Sequence, residues 1–518
     1  MQLIIDKKCL TTGQCDNIVS GIFYYTDWIY FVIFRAFAIF FLLLAFNTSV
    51  LASPWVGTVD KQLHYDLQTL QEWGYLDATV ITYPVPWKGV ANQILSLDER
   101  NMPEMPRQAA QRLSHYLNLQ KQEKRRTFLE LQASSEEPRL TSFDGINDVK
   151  ASAKITNEFY WGRLSGQLSV NYQSGGKKNL DNSFLAYQFG EWNIRAGSID
   201  QWWGPAQSSS LILSNNARPI PTVALSRSLA TASESPWLSW MGPWYFTTQL
   251  GQLESDRAVP DTKLLLSRFT FSPFKRFEFG ASWAAMWGGE GQPRSLSDFI
   301  DVITFQAVCT RERDVCDDSD LTKQGNHLAG FDAKYTFNLF ERPISIYAQR
   351  IGEDAVSGIN ITDQANLFGI STYFANAKVF LESSDTNIAC AGDGSTITNC
   401  YYENGVYTSG YRYRGRAIGS TFDSDAKQVT VGANIRFDGG AIAEVILRKA
   451  ELNPDGTRPS PVLTDDVTED LLQLSGFYQR PFGDWLLKAG GSIESRKFVT
   501  QDNEVDALLY LNATYAFD

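Results

Sequence analysis

From about residue 150 to its end the chain alternates apolar and polar residues one by one, and a period of two confines it to β-structure with one greasy and one wet face. Tyr160, Gly162, Leu164, Gly166, Leu168, Val170 and Tyr172 occupy every second position, with Arg163, Ser165, Gln167, Ser169 and Asn171 between them. Phe277, Phe279, Ala281, Trp283, Ala285 and Trp287 repeat the pattern, as do Val429, Val431, Ala433, Ile435 and Phe437. Leu509, Leu511, Ala513, Tyr515 and Phe517 end the chain in the same way. Half-buried strands of a soluble sandwich alternate too, so strand length and turns must decide. Here the strands reach about ten residues, aromatics such as Tyr160, Tyr172, Tyr515 and Phe517 gather at their ends, and short turns alternate with long loops. The turns at 272–275 and 481–484 are short, whereas 288–327, 382–427 and 453–468 are long excursions. Membrane barrels send short turns to the periplasm and long loops outside, and their closure leaves no strand edge unpaired in lipid. At about 20 residues per strand with its connection, residues 150–518 predict an all-β transmembrane barrel of about 18 antiparallel strands in the outer membrane of a Gram-negative cell.

A helical membrane bundle is excluded. It would need repeated apolar runs of about 20 residues, and with a mean hydropathy of −0.23 the chain has one, at 28–46. Within it, 36–46 (AFAIFFLLLAF) follows Arg35 as the apolar core of an export signal would, and Val50, Leu51 and Ala52 offer small residues for cleavage before Ser53. Residues 1–52 therefore read as a signal peptide. Next, Leu63, Leu67, Leu70 and Trp73 recur at helical spacing between Asp60 and Gly74, and Ala109, Leu113, Tyr116 and Leu117 do so after Pro106. Tyr83-Pro84-Val85-Pro86-Trp87 cannot be helical. Residues 53–149 are thus expected to form a small α-helical periplasmic or plug subdomain.

The net charge of −12 argues against nucleic acid as a partner. Two of the six cysteines, Cys9 and Cys15, fall in the signal. The rest make two closely spaced pairs, Cys309 with Cys316 and Cys390 with Cys400, each in a long loop and each able to close a disulfide in an oxidising compartment. No zinc-type spacing occurs, so neither metal nor cofactor is expected. His64, His115 and His327 are the only histidines, and the chain lacks G-x-S-x-G, H-E-x-x-H and phosphate-loop motifs. An enzyme is not expected.

The densest unusual stretch is WWGPAQSSSLILSNNARPIP, from Trp202, Trp203, Gly204 and Pro205 through Asn215, Asn216 and Arg218 to Pro221. It resembles the signature of the Wzi family of capsule assembly proteins. Ser53-Pro54-Trp55, His64-Tyr65-Asp66-Leu67-Gln68, Pro84-Val85-Pro86-Trp87, Pro236-Trp237 and Gly242-Pro243-Trp244 resemble the family in the same order. The resemblance implies an eighteen-stranded barrel with a periplasmic helical bundle, acting as an outer-membrane lectin that holds capsular polysaccharide on the cell surface. Its partners would be that polysaccharide, outer-membrane lipid and lipopolysaccharide, and the polysaccharide export machinery, with the barrel a monomer. A porin or solute channel is the rival reading, because its strands would alternate identically.

Flat aromatic faces suit pyranose rings and planar arginine forks suit sugar carboxylates. Tyr411, Arg412, Tyr413, Arg414 and Arg416 offer both in one long loop, and Arg311 and Arg313 add cations in the other. These seven residues are the candidate polysaccharide contacts, on the premise that both loops are exposed; a loop that salt-bridges lipopolysaccharide phosphates or caps the barrel would have the same composition.

Overall fold

A computed structural model describes residues 54–58, 60–122, 125–146, 149–304, 325–356, 360–391, 396–398, 400–456 and 467–517. The expected signal peptide, Cys309, Cys316, Arg311 and Arg313 lie outside the described residues.

Alternation resolves into a barrel turned inside out relative to a soluble protein. Leu168 and Val170 are 50% and 49% exposed, whereas Ser169 and Asn171 between them are 0% and 4% exposed. Likewise Val429 and Val431 point outward while Gln428 and Thr430 are buried inward. An outward apolar parity over a polar inward one is what a wall in lipid requires.

Eighteen antiparallel strands close that wall among the described residues. They are β1 (Arg125–Ser134), β2 (Ala151–Trp161), β3 (Leu164–Gln173), β4 (Phe184–Phe189), β5 (Trp192–Gly197), β6 (Thr222–Arg227), β7 (Trp244–Gln252), β8 (Lys263–Phe271) and β9 (Phe277–Trp287). The second half comprises β10 (Asn326–Leu339), β11 (Arg342–Val356), β12 (Asn360–Phe374), β13 (Ala377–Asp385), β14 (Ala426–Arg436), β15 (Ile442–Leu452), β16 (Glu469–Phe482), β17 (Trp485–Phe498) and β18 (Glu504–Phe517). Each pairs with its sequence neighbours, and β1 closes the ring on β18 through Thr127 opposite Phe517 to Ser134 opposite Tyr510. The barrel therefore begins at Arg125, and the expected boundary at 149/150 is corrected to the end of the last N-terminal helix.

One end carries tight connections such as 162–163, 190–191, 340–341, 375–376 and 483–484. Around it Trp161, Trp240, Phe274, Phe340, Phe374 and Phe482 are exposed as an aromatic girdle. The other end carries 135–150, 198–221, 288–325, 386–425 and 453–468, so it is the outer, loop end.

Three N-terminal helices, α1 (Gln62–Glu72), α2 (Val90–Leu95) and α3 (Glu104–Gln122), enter from the turn end. The first and last match the predicted periods; α2, only six residues long, was not foreseen. Leu63, Leu67 and Leu70 of α1 pack with Val90 and Ile94 of α2 and with Ala109, Leu113 and Leu117 of α3 in one apolar core. Polar residues of the wall then grip the segment. Glu278 accepts from the amides of Val80 (2.6 Å) and Ile81 (3.2 Å). Arg268 forks onto Asp332 at 2.7 and 2.9 Å and donates to Thr82 Oγ1 and the Ile81 carbonyl. Lys334 and Lys378 both reach Glu72, and Arg436 pairs with Asp66. These contacts seat the end of α1 and residues 80–82 in the turn end of the lumen as a plug, with α2 and α3 packed against α1.

Candidate functional site

Connection 198–221, which holds the Trp-Trp-Gly-Pro stretch, folds into the lumen instead of outward. Its entry is a two-residue ladder in which Trp202 and Trp203 pair with Tyr83 and Thr82 of the plug. Both indoles are buried, with the Trp202 Nε1 donating to the Ala206 carbonyl at 2.9 Å. Gly204 is needed where it stands: at φ +148° an added Cβ would lie 2.9 Å from Gln349 Nε2. Gln349, on β11, donates to the Trp203 carbonyl (2.8 Å) and accepts from the Leu211 amide (2.7 Å). Glu382, on β13, accepts from the amides of Gln207 (2.7 Å) and Ser208 (2.8 Å), from the Ser208 hydroxyl, and from Tyr347 Oη (2.7 Å). Pro205, at the bend between these two anchors, is buried.

The second inward element is the segment 400–425. Tyr401, Tyr402 and Tyr411 are wholly buried, and their hydroxyls donate to the carbonyls of Leu211 (Tyr401 and Tyr402) and Ile212 (Tyr411). Together with Leu211, Ile212 and Ile418 they join Leu264, Leu266 and Ile351 from the wall in one apolar core inside the barrel. A large barrel that conducts keeps its interior wet and polar; here the loop-end half of the interior is packed like the centre of a soluble domain.

That burial corrects the premise of an exposed binding loop. Tyr411 is 0% exposed and Tyr413 7%, so neither presents a face to a sugar. Arg412, also 7% exposed, is spent on Asp423 (2.8 Å) and Glu403 (2.6 Å). Arg414 alone of the five is exposed, at the tip of a two-residue hairpin between Arg412–Tyr413 and Arg416–Ala417. Positive φ at both Arg414 (51°) and Gly415 (81°) makes this a type I′ turn. The Arg414 guanidinium lies 5.5 Å from the Tyr413 ring. Half-buried Arg416 donates to the Pro138 carbonyl (2.7 Å), the Arg139 carbonyl (3.2 Å) and Asn216 Oδ1 (3.3 Å).

Asn216 is accordingly a junction of three connections. Besides Arg416 it receives Thr141 Oγ1 at 3.0 Å, and its Nδ2 donates to the Ala417 carbonyl at 3.0 Å. Asn215 donates to the Phe143 carbonyl, and Arg218 forks onto Asp181 at 2.7 and 3.0 Å. The signature residues of the sequence thus stitch the mouth and lumen together. Cys400 is disulfide-bonded; the side chain of Cys390 lies outside the described residues.

The two arginines separate by experiment. Arg412→Gln strands Asp423 in a dry site and should cost on the order of 3 kcal/mol, the loss expected when one partner of a buried ion pair is removed. Arg414→Gln should leave stability unchanged within about 0.5 kcal/mol, as at other exposed positions. Urea titration followed by tryptophan emission distinguishes them, and equal midpoints for the two variants would contradict the assignment.

Comparison with known proteins places this geometry. A family model described as capsule assembly protein Wzi matches residues 120–509. A Klebsiella pneumoniae protein described as an uncharacterized 55.8 kDa protein in the cps region is 33% identical over 233 residues, 44% of this chain and 40% of that protein. The match thus spans less than half of that relative's length. A solved Escherichia coli structure, described as Wzi, an outer-membrane carbohydrate-binding β-barrel involved in group 1 capsule assembly, superposes with a TM-score of 0.72. It is 24% identical, and the alignment covers 88% of this chain and 98% of that one. At that identity the likeness establishes the fold.

Proposed function

The chain belongs to the Wzi family of capsule assembly proteins, and from that premise we propose that it holds surface polysaccharide at the loop end of its outer-membrane barrel as a binding protein, not a catalyst. The observation that carries the reading is the filled lumen. Plug, signature connection and tyrosine-rich segment together occupy the space a solute would need, which disfavours the porin alternative. What the loop end offers instead is a planar cation, Arg414 at the hairpin tip, with half-buried Arg416 below it. Guanidinium groups suit the carboxylates of an acidic capsule.

Cells lacking the protein should release polysaccharide into the medium while making the same total amount, and wild-type protein should restore it to the surface. Unchanged cell-bound polysaccharide in the deletion strain would overturn the reading. Arg414→Gln, matched for protein level, should lower retention severalfold and less so at high salt, because exposed charges are screened over a Debye length of about 8 Å at physiological ionic strength. Full retention by that variant, with shedding in the deletion, would move the contact elsewhere on the rim.

A further inference from the structure

Most outward positions of the wall are open to the surroundings, but one patch is not. On β8 and β9, Leu265, Ala285 and Trp287 all carry the outward parity, yet they are 7%, 0% and 9% exposed. They are covered from outside by α4 (Leu296–Ile303), which lies in the connection after β9. Its start is fixed by a capping box in which the Ser295 hydroxyl accepts from the Asp298 amide (3.3 Å) and the Asp298 carboxylate accepts from the Ser295 amide (2.5 Å). Val302 is buried against the wall, and the Phe299 ring sits 5.1 Å from that of Trp287.

The rest of the helix divides into two further faces. Leu296, Ile300 and Ile303 recur at i, i+4 and i+7 and are 75%, 47% and 39% exposed. Ser297, Asp301 and Thr304, at the same spacing, make a polar face. An apolar stripe left open on a helix that already has a protein-facing side requires an occupant. Here the stripe is continuous with the lipid-facing surface: α4 rests on Trp287 and Ala285, and the same outward row of β9 runs on through Trp283, Ala281 and Phe279 into the membrane band. A helix with apolar and polar faces of this kind lies in the plane of a membrane interface.

We propose that α4 is an interfacial helix of the outer leaflet, with Leu296, Ile300 and Ile303 seated against lipid acyl chains and Ser297 and Asp301 turned to water. It would widen the barrel's grip on the leaflet on the side of β8 and β9 and fix the depth at which the mouth stands above the membrane. The test uses full-length protein in vesicles of lipopolysaccharide and phospholipid, with a nitroxide attached at Ile300→Cys or Leu296→Cys and wild-type protein setting the background. Molecular oxygen, which partitions into acyl chains, should relax the label severalfold more strongly than a water-soluble nickel chelate. The order should reverse at Ser297→Cys and at Arg414→Cys. Nickel exceeding oxygen at both Ile300 and Leu296 would place the stripe in water and overturn the proposal. So would dipolar broadening there, because the occupant would then be a second copy of the chain.

Discussion

Replacing Glu382 by alanine should turn a silent barrel into a conducting one. The carboxylate is buried, and four donors end on it: two amides and a hydroxyl from Gln207 and Ser208, and the Tyr347 phenol. An unsatisfied buried donor costs about 1–3 kcal/mol, more where the lost partner was charged, so truncation removes several kcal/mol from one point of attachment. That point is where the signature connection meets β13, opposite its other hold on Gln349 of β11. With that anchor gone, 198–221 stays joined at Trp202, Trp203 and Asn216, so it should loosen locally around Gln207 and Ser208 and admit water beside β13. In planar bilayers wild-type protein should give no stable current steps and Glu382→Ala should give discrete ones. Glu382→Gln, which keeps an acceptor oxygen for some of the donors, should open less often. A folded, heat-modifiable Glu382→Ala protein that stays as silent as wild type would show that the apolar core alone closes the lumen.

How far the sequence could be read is clearest at particular residues. The inside-out parity at Leu168, Val170 and Tyr172 was legible because lipid imposes it on every strand alike. The run from Tyr160 to Tyr172 nevertheless hid a hairpin: β2 ends at Trp161, the chain turns at Gly162 and Arg163, and even-numbered residues face inward before the turn and outward after it. A two-residue turn shifts the phase of the alternation by one, but inward-facing Tyr160 and the turn residue Gly162 fill even positions ahead of Leu164 and so mask the shift. Strand β1 was missed for a different reason. Thr127, Leu129, Leu131 and Ala133 do alternate outward, but Phe128 on the inward parity blurs the pattern, and the segment directly follows the polar end of a helix.

The tyrosine and arginine loop shows where composition stops informing. Aromatic rings and guanidinium groups serve a sugar-binding surface and a buried staple equally well. Arg412 is a staple because Asp423 and Glu403 lie beside it, and that proximity follows from 400–425 bending into the barrel over Leu211 and Ile212. Trp202 and Trp203 of the signature are likewise buried, against Tyr83 and Thr82.

The same logic makes Glu72 the most sensitive point of the plug. Its carboxylate, fully buried at the end of α1, meets Lys334 of β10 at 2.5 Å and Lys378 of β13 at 2.9 Å, and Tyr373 of β12 donates to it. Burial alone would push Glu72 upward, but the two ammonium groups outweigh it and hold the acid down at about 2. A depressed acid contributes stability that is complete above its unfolded value of 4.5 and drains away as pH falls toward 2. Over that window the contribution amounts to roughly 3 kcal/mol. Glu72→Ala should forfeit it at every pH and also strand two lysines in a dry site, a loss on the order of 3–5 kcal/mol. The wall closes through β1 and β18 without help from α1, so the barrel should still form and only the plug should loosen. Protease added at neutral pH should then cut the variant between residues 60 and 122 while wild type resists. Pepsin should begin to cut wild type there as the pH drops from about 4.5 to 2, whereas the variant should be cut equally across that range. A variant plug as resistant as wild type at neutral pH would mean that the apolar contacts among the three helices hold it unaided.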